Sequence, residues 1–233
     1  MDPGETILSE QIRKTLLEYG FEPSWEPAVC DMIRNVVALP LDAEHPGLRL
    51  ERIPTTDRLN ELPFFFPLNR ITPRLLGALM ADHGETGSHA DLPERIGRLG
   101  FAPARGFMRG FVDLVFRYEK RYFLVDWKSN DLGPTWEHYA PERLSRAMVD
   151  GLYHVQAFLY TLALDRYLAL RLPGYRYDLH FGGAYYIFLR GVDPERGPGS
   201  GVHRVRPSTA LMEDLRKVLI PETVEPGPKE SHS

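Results

Sequence analysis

A single cysteine, Cys30, stands in 233 residues. A disulfide within the chain is thereby excluded, and so is a zinc site or iron–sulfur cluster built on several thiolates. One thiol also suits a reducing compartment, and a cytoplasmic protein is expected. No apolar run approaches the ~20 residues that a membrane-spanning helix needs, so no membrane association is expected. The polar N-terminus holds no apolar signal core. No GxxxxGK[ST] phosphate loop occurs, which excludes an ATP-driven motor built from this chain alone. Positive charge is in short supply: 28 Lys and Arg face 32 Asp and Glu, for a formal charge of −4. Bulk electrostatic capture of nucleic acid is therefore excluded, and any such contact must be local or supplied by a partner.

What is present is an ordinary globular composition, 43% hydrophobic and 26% charged, with no internal repeat. Apolar spacing predicts a helix over 6–19 stopped by Gly20, and a second helix capped by Ser24 and running to Pro40. A turn-rich stretch follows from Asp42 to Thr56. ELPFFFPL (61–68) reads as a short strand, and Pro63 and Pro67 make it an edge strand or an irregular one. Thr72-Pro73 opens a helix to residue 81, and 82–104 reads as a loop. Residues 106–118 and 121–128 are rich in β-formers and turn at Glu119-Lys120, the signature of a hairpin. A long helix is expected over 145–171, with Met148, Leu152, Val155, Leu159 and Leu162 at core spacing. A strand over 181–190, a loop over 192–201 and a helix capped by Ser208 and fading near Ile220 complete the fold. Residues 221–233 are expected to be a disordered tail. The order predicts an α/β (α+β) domain over 1–220, a mixed central sheet flanked by helices.

The hairpin carries the chemistry. Asp126 and Lys128 are two apart on a strand and share a face, with Trp127 opposite. Folding back at Glu119-Lys120 brings Asp113 to the same end of the pair. Each acid sits among strong hydrophobes, as in Phe111-Val112-Asp113-Leu114-Val115, where an unpaired carboxylate is costly. Two carboxylates can hold Mg²⁺, which polarises a phosphate and acidifies a bound water. A neighbouring ammonium stabilises charge developing on phosphate. A lone D-x-K on a strand is more often a surface ion pair; its combination with Asp113 gives the pattern its weight. The aromatics Phe64, Phe65, Phe66, Tyr185, Tyr186 and Phe188 read as core rather than as a base-stacking platform.

GFMRGFVDLVFRYEKRYFLVDWKSNDLG resembles the nuclease motif of the RecB-like family, in the PD-(D/E)xK class of restriction-endonuclease-like folds. Gln156 and Tyr160 stand as the Q-x-x-x-Y helix motif of that family. HFGGAYYIFLRGVD is similar to its next strand, and GFEPSWEPAVCDMIRNVVALPL to the segment before the nuclease motifs. The likeness spans most of 15–215. It implies that Asp113 and Asp126 ligate Mg²⁺, with Mn²⁺ as a substitute, and that Lys128 is the active-site lysine. Trp127, where the family usually has Tyr, would lend its backbone carbonyl. Glu61 is either a further metal ligand or an ordinary strand-start carboxylate. Gln156 and Tyr160 share a helix face and would bind DNA phosphate or brace the lysine. Tyr153 and His154, which flank Gln156, look mainly structural, and Ser129 and Asn130 would shape the turn after the catalytic strand.

The resemblance further implies DNA as substrate, RecC-like and RecD-like subunits as partners, and DNA end resection in recombination and repair. The pattern departs in one place. The family's metal-ligating histidine, on an N-terminal helix with a G-x-x-x-H-x-x-L-E-like pattern, has no counterpart, and the sequence is expected to start downstream of it. The helicase region is absent too. His45, His83, His89, His138, His154, His180 and His203 lack a convincing ligand spacing. Two readings remain open: an active metal-dependent deoxyribonuclease, and a catalytically impaired fragment that docks RecC-like or RecD-like subunits.

Overall fold

A computed structural model describes residues 3–83, 91–98 and 104–221. Five strands form one sheet in sequential order: β1 (Arg58–Ile71), β2 (Ala104–Tyr118), β3 (Arg121–Lys128), β4 (Phe181–Phe188) and β5 (Val202–Val205). Every neighbouring pair is antiparallel except β3 and β4, which run parallel. A parallel pair needs a long crossover. Here it is made by the helices α5 (Pro141–Asp150) and α6 (Tyr153–Arg171), with a short α7 (Tyr177–His180) before β4.

The mixed sheet flanked by helices agrees with the sequence reading. Its two faces bury different cores. One core joins Leu124, Val115, Tyr186 and Phe188 of the sheet to Met80, Ile96, Met148, Leu162 and Leu215. These last come from α3 (Pro73–Asp82), α4 (Leu92–Gly97), α5, α6 and α8 (Thr209–Leu219). The other core joins Phe116, Phe123, Val125, Tyr185 and Ile187 to Val36 of α2 (Glu26–Ala38) and to Leu39, Leu41, Leu48 and Ile53 after it. Alternate residues of β3 enter opposite cores, Phe123 and Val125 the second and Leu124 the first, as the period of two demands. Strand β4 is buried at every position, as expected of a central strand covered on both sides.

Caps and turns follow side-chain chemistry. Thr72 accepts from the Leu75 N–H at 3.1 Å and Ser208 from the Leu211 N–H at 3.2 Å, so both expected caps form. Ser24 does not cap. It lies in a 3₁₀ turn over Pro23–Trp25, and its hydroxyl donates to Glu22 instead. Pro27 in the first turn of α2, like any proline there, removes one N–H that would otherwise need a cap. Glu119 and Lys120 both adopt left-handed φ, 47° and 65°, and make the hairpin turn.

Other expectations need correction. The predicted 145–171 helix is two helices, broken at Gly151 and at Leu152, which takes φ 56° and ψ 26°. Strand β1 runs from 58 to 71, through both prolines, because pairing with β2 carries it. Residues 92–97, read as loop, are helical, and 202–205 add a fifth strand. Phe65 is 67% exposed and stacks on Phe107, so it is not core. Residues 222–233, 84–90 and 99–103 lie outside the described ones, as do the tail, His89 and part of the predicted loop. No helix among the described residues is long and apolar enough to cross a membrane.

One part-buried ion pair pins α8 to α6. Asp165 is 2% exposed and accepts two hydrogen bonds from Arg216, at 2.6 and 2.7 Å, and one from the Tyr175 hydroxyl at 3.1 Å. Removing the cation leaves a buried carboxylate without its charge partner. Arg216→Ala is expected to lower stability by about 3 kcal/mol, measured as the urea midpoint at neutral pH.

Candidate active site

The site forms where β2 and β3 part. Their last paired residues are Leu114 and Val125, so the next residues along the register are Asp113 and Asp126. In place of a ladder bond, the Asp113 carboxylate itself accepts the Trp127 N–H at 2.9 Å. The acid is thereby fixed by backbone on the neighbouring strand. On the other side of β2, the pairs Asn60–Leu114 and Leu62–Val112 flank Glu61 and Asp113. Val112 belongs to one core and Leu114 to the other, although they are two residues apart. The β1–β2 ribbon therefore rolls over at this point, and Glu61 takes φ 52° there. Beyond β3 the row continues through Tyr186 on β4 to His203 on β5.

Asp126 and Lys128 share a face, as two-residue spacing on a strand requires. They are 3% and 7% exposed. The ammonium lies 2.5 Å from Asp126 Oδ2, and the two form a buried ion pair. Burial pushes the Asp126 carboxyl up; Lys128 pulls it down and Asp113 pushes it up again, and the balance is upward. An acid raised chiefly by burial, beside specific charge partners, is a feature of functional sites.

Helix α6 supplies the lysine's other partners. Lys128 Nζ donates to Gln156 Oε1 at 3.0 Å, and Gln156 is hydrogen-bonded to Tyr160. The two lie four apart on one helical face, and the geometry is that of a brace on the lysine. Burial raises the Tyr160 hydroxyl, Gln156 lowers it, and Asp126 and Asp113 raise it further. Tyr153 lies beneath the ammonium, 3.8 Å from ring centroid to Nζ, and Tyr186 is at 5.2 Å. The Tyr186 hydroxyl is buried without a hydrogen bond, and its ionisation is pushed well up by burial and by Asp126.

The structure thus brings together Asp113, Asp126, Trp127, Lys128, Gln156 and Tyr160. Glu61 stands across from Asp113 in register, but its side chain is exposed and makes no hydrogen bond or ion pair with the described residues. His83 pairs with Asp214, His45 with Asp42, and His154 meets His203 edge to face. Among the described residues no three acids, histidines or cysteines are grouped to hold a metal. Two carboxylates at one strand end, one of them buried, offer the oxygen donors that suit a hard divalent cation in kind. Sequence reasoning missed Tyr153 and Tyr186 as neighbours of Lys128. The available signal was spacing: Tyr153 precedes Gln156 by three, on the same helical face.

These features, a mixed sheet flanked by helices with two aspartates and a lysine meeting at a strand end, are those of a restriction-endonuclease-like core. No family model matches the chain. Curated relatives do. It is 37% identical over 216 residues to the RecBCD enzyme subunit RecB of Escherichia coli, across 92% of this chain and 18% of that protein. It is 34% identical over 211 residues to the same subunit of Haemophilus influenzae, across 91% and 17%. For Mycobacterium tuberculosis RecB the values are 37% over 198 residues, 77% and 18%. The chain belongs to the RecB family and spans less than a fifth of the length of these relatives.

The charge of Asp113 adds to the upward push that burial gives the Asp126 carboxyl. Asp113→Asn keeps an acceptor for the Trp127 N–H and removes that charge. The Asp126 carboxyl is then expected to titrate lower, read by carboxyl ¹³C NMR. A raised carboxyl withholds no stability below its unfolded pKa of about 3.9. Stability falls as pH rises from there to the folded value, then levels. In Asp113→Asn this fall is expected to be smaller, measured by urea unfolding across the acidic range.

Proposed function

We propose that this chain is a metal-dependent DNA nuclease domain of a RecBCD-type helicase–nuclease complex, hydrolysing phosphodiester bonds in DNA end resection for recombination and repair. The observation that carries this reading is the meeting of Asp113, Asp126 and Lys128 at the point where β2 and β3 separate. Membership of the RecB family supports it. Asp113 and Asp126, with the Trp127 carbonyl, would hold Mg²⁺ or Mn²⁺, and Glu61 is a further candidate from the opposite strand. When bound, such an ion polarises the scissile phosphate and makes a bound water more acidic. Lys128 presents its ammonium to the phosphate oxygens, where charge builds in the transition state. Gln156 holds the Lys128 amine toward the acids, and Tyr160 holds Gln156. The buried setting of Asp126 and Lys128 strengthens each of these charge interactions. DNA and RecC-like and RecD-like subunits are the partners of this reading, and the cytoplasm its compartment. A partner that delivers the strand accounts for a nuclease with net charge −4.

A second reading, a docking module for RecC-like or RecD-like subunits with impaired catalysis, is favoured by one observation. Only two carboxylates converge among the described residues, with no third ligand beside them. Two measurements separate the readings. Linear duplex and single-stranded DNA incubated with Mg²⁺ or Mn²⁺ should be degraded, and Asp126→Ala or Lys128→Ala should each slow degradation by at least about 100-fold. Mn²⁺ should raise the melting temperature of the unaltered chain and leave Asp113→Ala/Asp126→Ala unmoved, as mass action requires of a site-specific ligand. Cleavage that survives Asp126→Ala removes these residues from the reaction. No thermal shift and no cleavage would favour docking.

A further inference from the structure

The break between α5 and α6 is costly and local. Leu152, a bulky residue, sits in the left-handed region at φ 56° and ψ 26°, where side chains of its kind are uncommon. Such strain persists only where the surroundings fix it, and it gathers at functional sites. Its effect is to start α6 at Tyr153. Gly151 beside it carries no Cβ; one built there would meet the Tyr153 ring at 2.6 Å. The backbone of Gly151 is ordinary, at φ −83° and ψ −1°, so the glycine makes room for the ring and not for a turn.

Three contacts of the ring so placed lead to the proposed active site. Its face lies 3.8 Å from Lys128 Nζ. Its hydroxyl donates to Asn130 Oδ1 at 3.2 Å, two residues beyond Lys128 in the chain. Its other neighbour is Tyr186, ring centroid to ring centroid 6.2 Å with the planes 27° apart. An ammonium has three N–H donors and no acceptor. Gln156 takes one of them, Asp126 draws the cation as an ion, and the Tyr153 face supplies electron density. Of these, only Asp126 is charged and shared with the acid pair. The two neutral groups, both on α6, hold the amine whether or not the Asp126 oxygens are engaged elsewhere.

We propose that Tyr153 is a positioning residue for Lys128: its ring face seats the ammonium, and the strained Gly151-Leu152 break sets the ring. Only the kinetic part of this proposal rests on the nuclease reading. The seat itself is tested on the full chain by NMR of lysine labelled with ¹³C at Cε, with Lys128→Met identifying the resonance. Ring current should move the Lys128 Hε protons upfield of the other lysines in the unaltered chain and in Tyr153→Phe, and Tyr153→Leu should abolish the displacement. In DNA cleavage, Tyr153→Leu should lower kcat about ten-fold with KM little changed, and Tyr153→Phe should restore it. Gly151→Ala pushes the ring aside without removing it and should lower kcat in the same direction; it replaces Tyr153→Leu if that variant fails to fold. An Hε signal at the ordinary lysine position in the unaltered chain overturns the proposal. So does a Tyr153→Phe variant as slow as Tyr153→Leu, which would place the effect in the Asn130 tether. A chain that cuts no DNA under any metal defeats the nuclease reading, and the Hε signal then decides the seat alone.

Discussion

A lysine ammonium held inside a sheet-to-helix interface is the constraint around which the centre of this fold is arranged. Lys128 is 7% exposed on a strand whose alternate residues feed two apolar cores. Burying that charge is tolerable only where partners surround it. The chain provides them from three elements: Asp126 from its own strand, Gln156 and Tyr153 from α6, and Tyr186 from the parallel neighbour β4. The register of β3 on β4, the starting residue of α6 and the crossover between them are thus tied to one amine.

Asp113 plays the complementary part at the other border of β3. Strand separation normally leaves backbone donors for water to satisfy. Here a side chain from β2 takes one of them, the Trp127 N–H. The same acid lies on the ribbon where it rolls from one core to the other, opposite a residue in left-handed conformation. Sheet irregularities of this sort are found beside active sites, where they re-aim side chains. The opposite face is closed differently. Asp42 accepts from the Tyr185 hydroxyl and from the His45 N–H, and Arg204 lies 3.6 Å away. Burial pushes that carboxyl up, but these partners outweigh it and the balance is downward. The stretch after α2 is in this way fastened to β4 and β5.

Much of this was legible in the residues. Two runs of β-formers with a two-residue turn between them located the hairpin, and the spacing of Asp126 and Lys128 put them on one face. Gln156 and Tyr160 fell on one side of a helix by the four-residue rule. What escaped had a weaker local code. Leu152 is an ordinary helix former, so nothing in its identity announced a break; the Tyr153 ring packing on Lys128 and Tyr186 accompanies it. The four residues of β5 are too few to display a period, and their pairing with β4 makes them a strand. Phe65 reads as core because it is aromatic, yet its neighbours on both sides, Phe64 and Phe66, turn inward and leave it out. Tertiary contacts accompany the first two cases, and alternation along the strand decides the third.

That outward face bears on solubility. Phe65, Phe107 and Phe111 present their rings on the β1–β2 ribbon, each more than 60% exposed, and β1 is the border of the sheet. An unprotected border with such rings invites another chain to add a strand. Pro63 and Pro67 pair with Phe111 and Phe107 along β1, and neither has an N–H to offer an incoming backbone. A newcomer would find gaps in the donor row at both positions, so greasy rings are displayed on an edge that is poorly equipped to template aggregation.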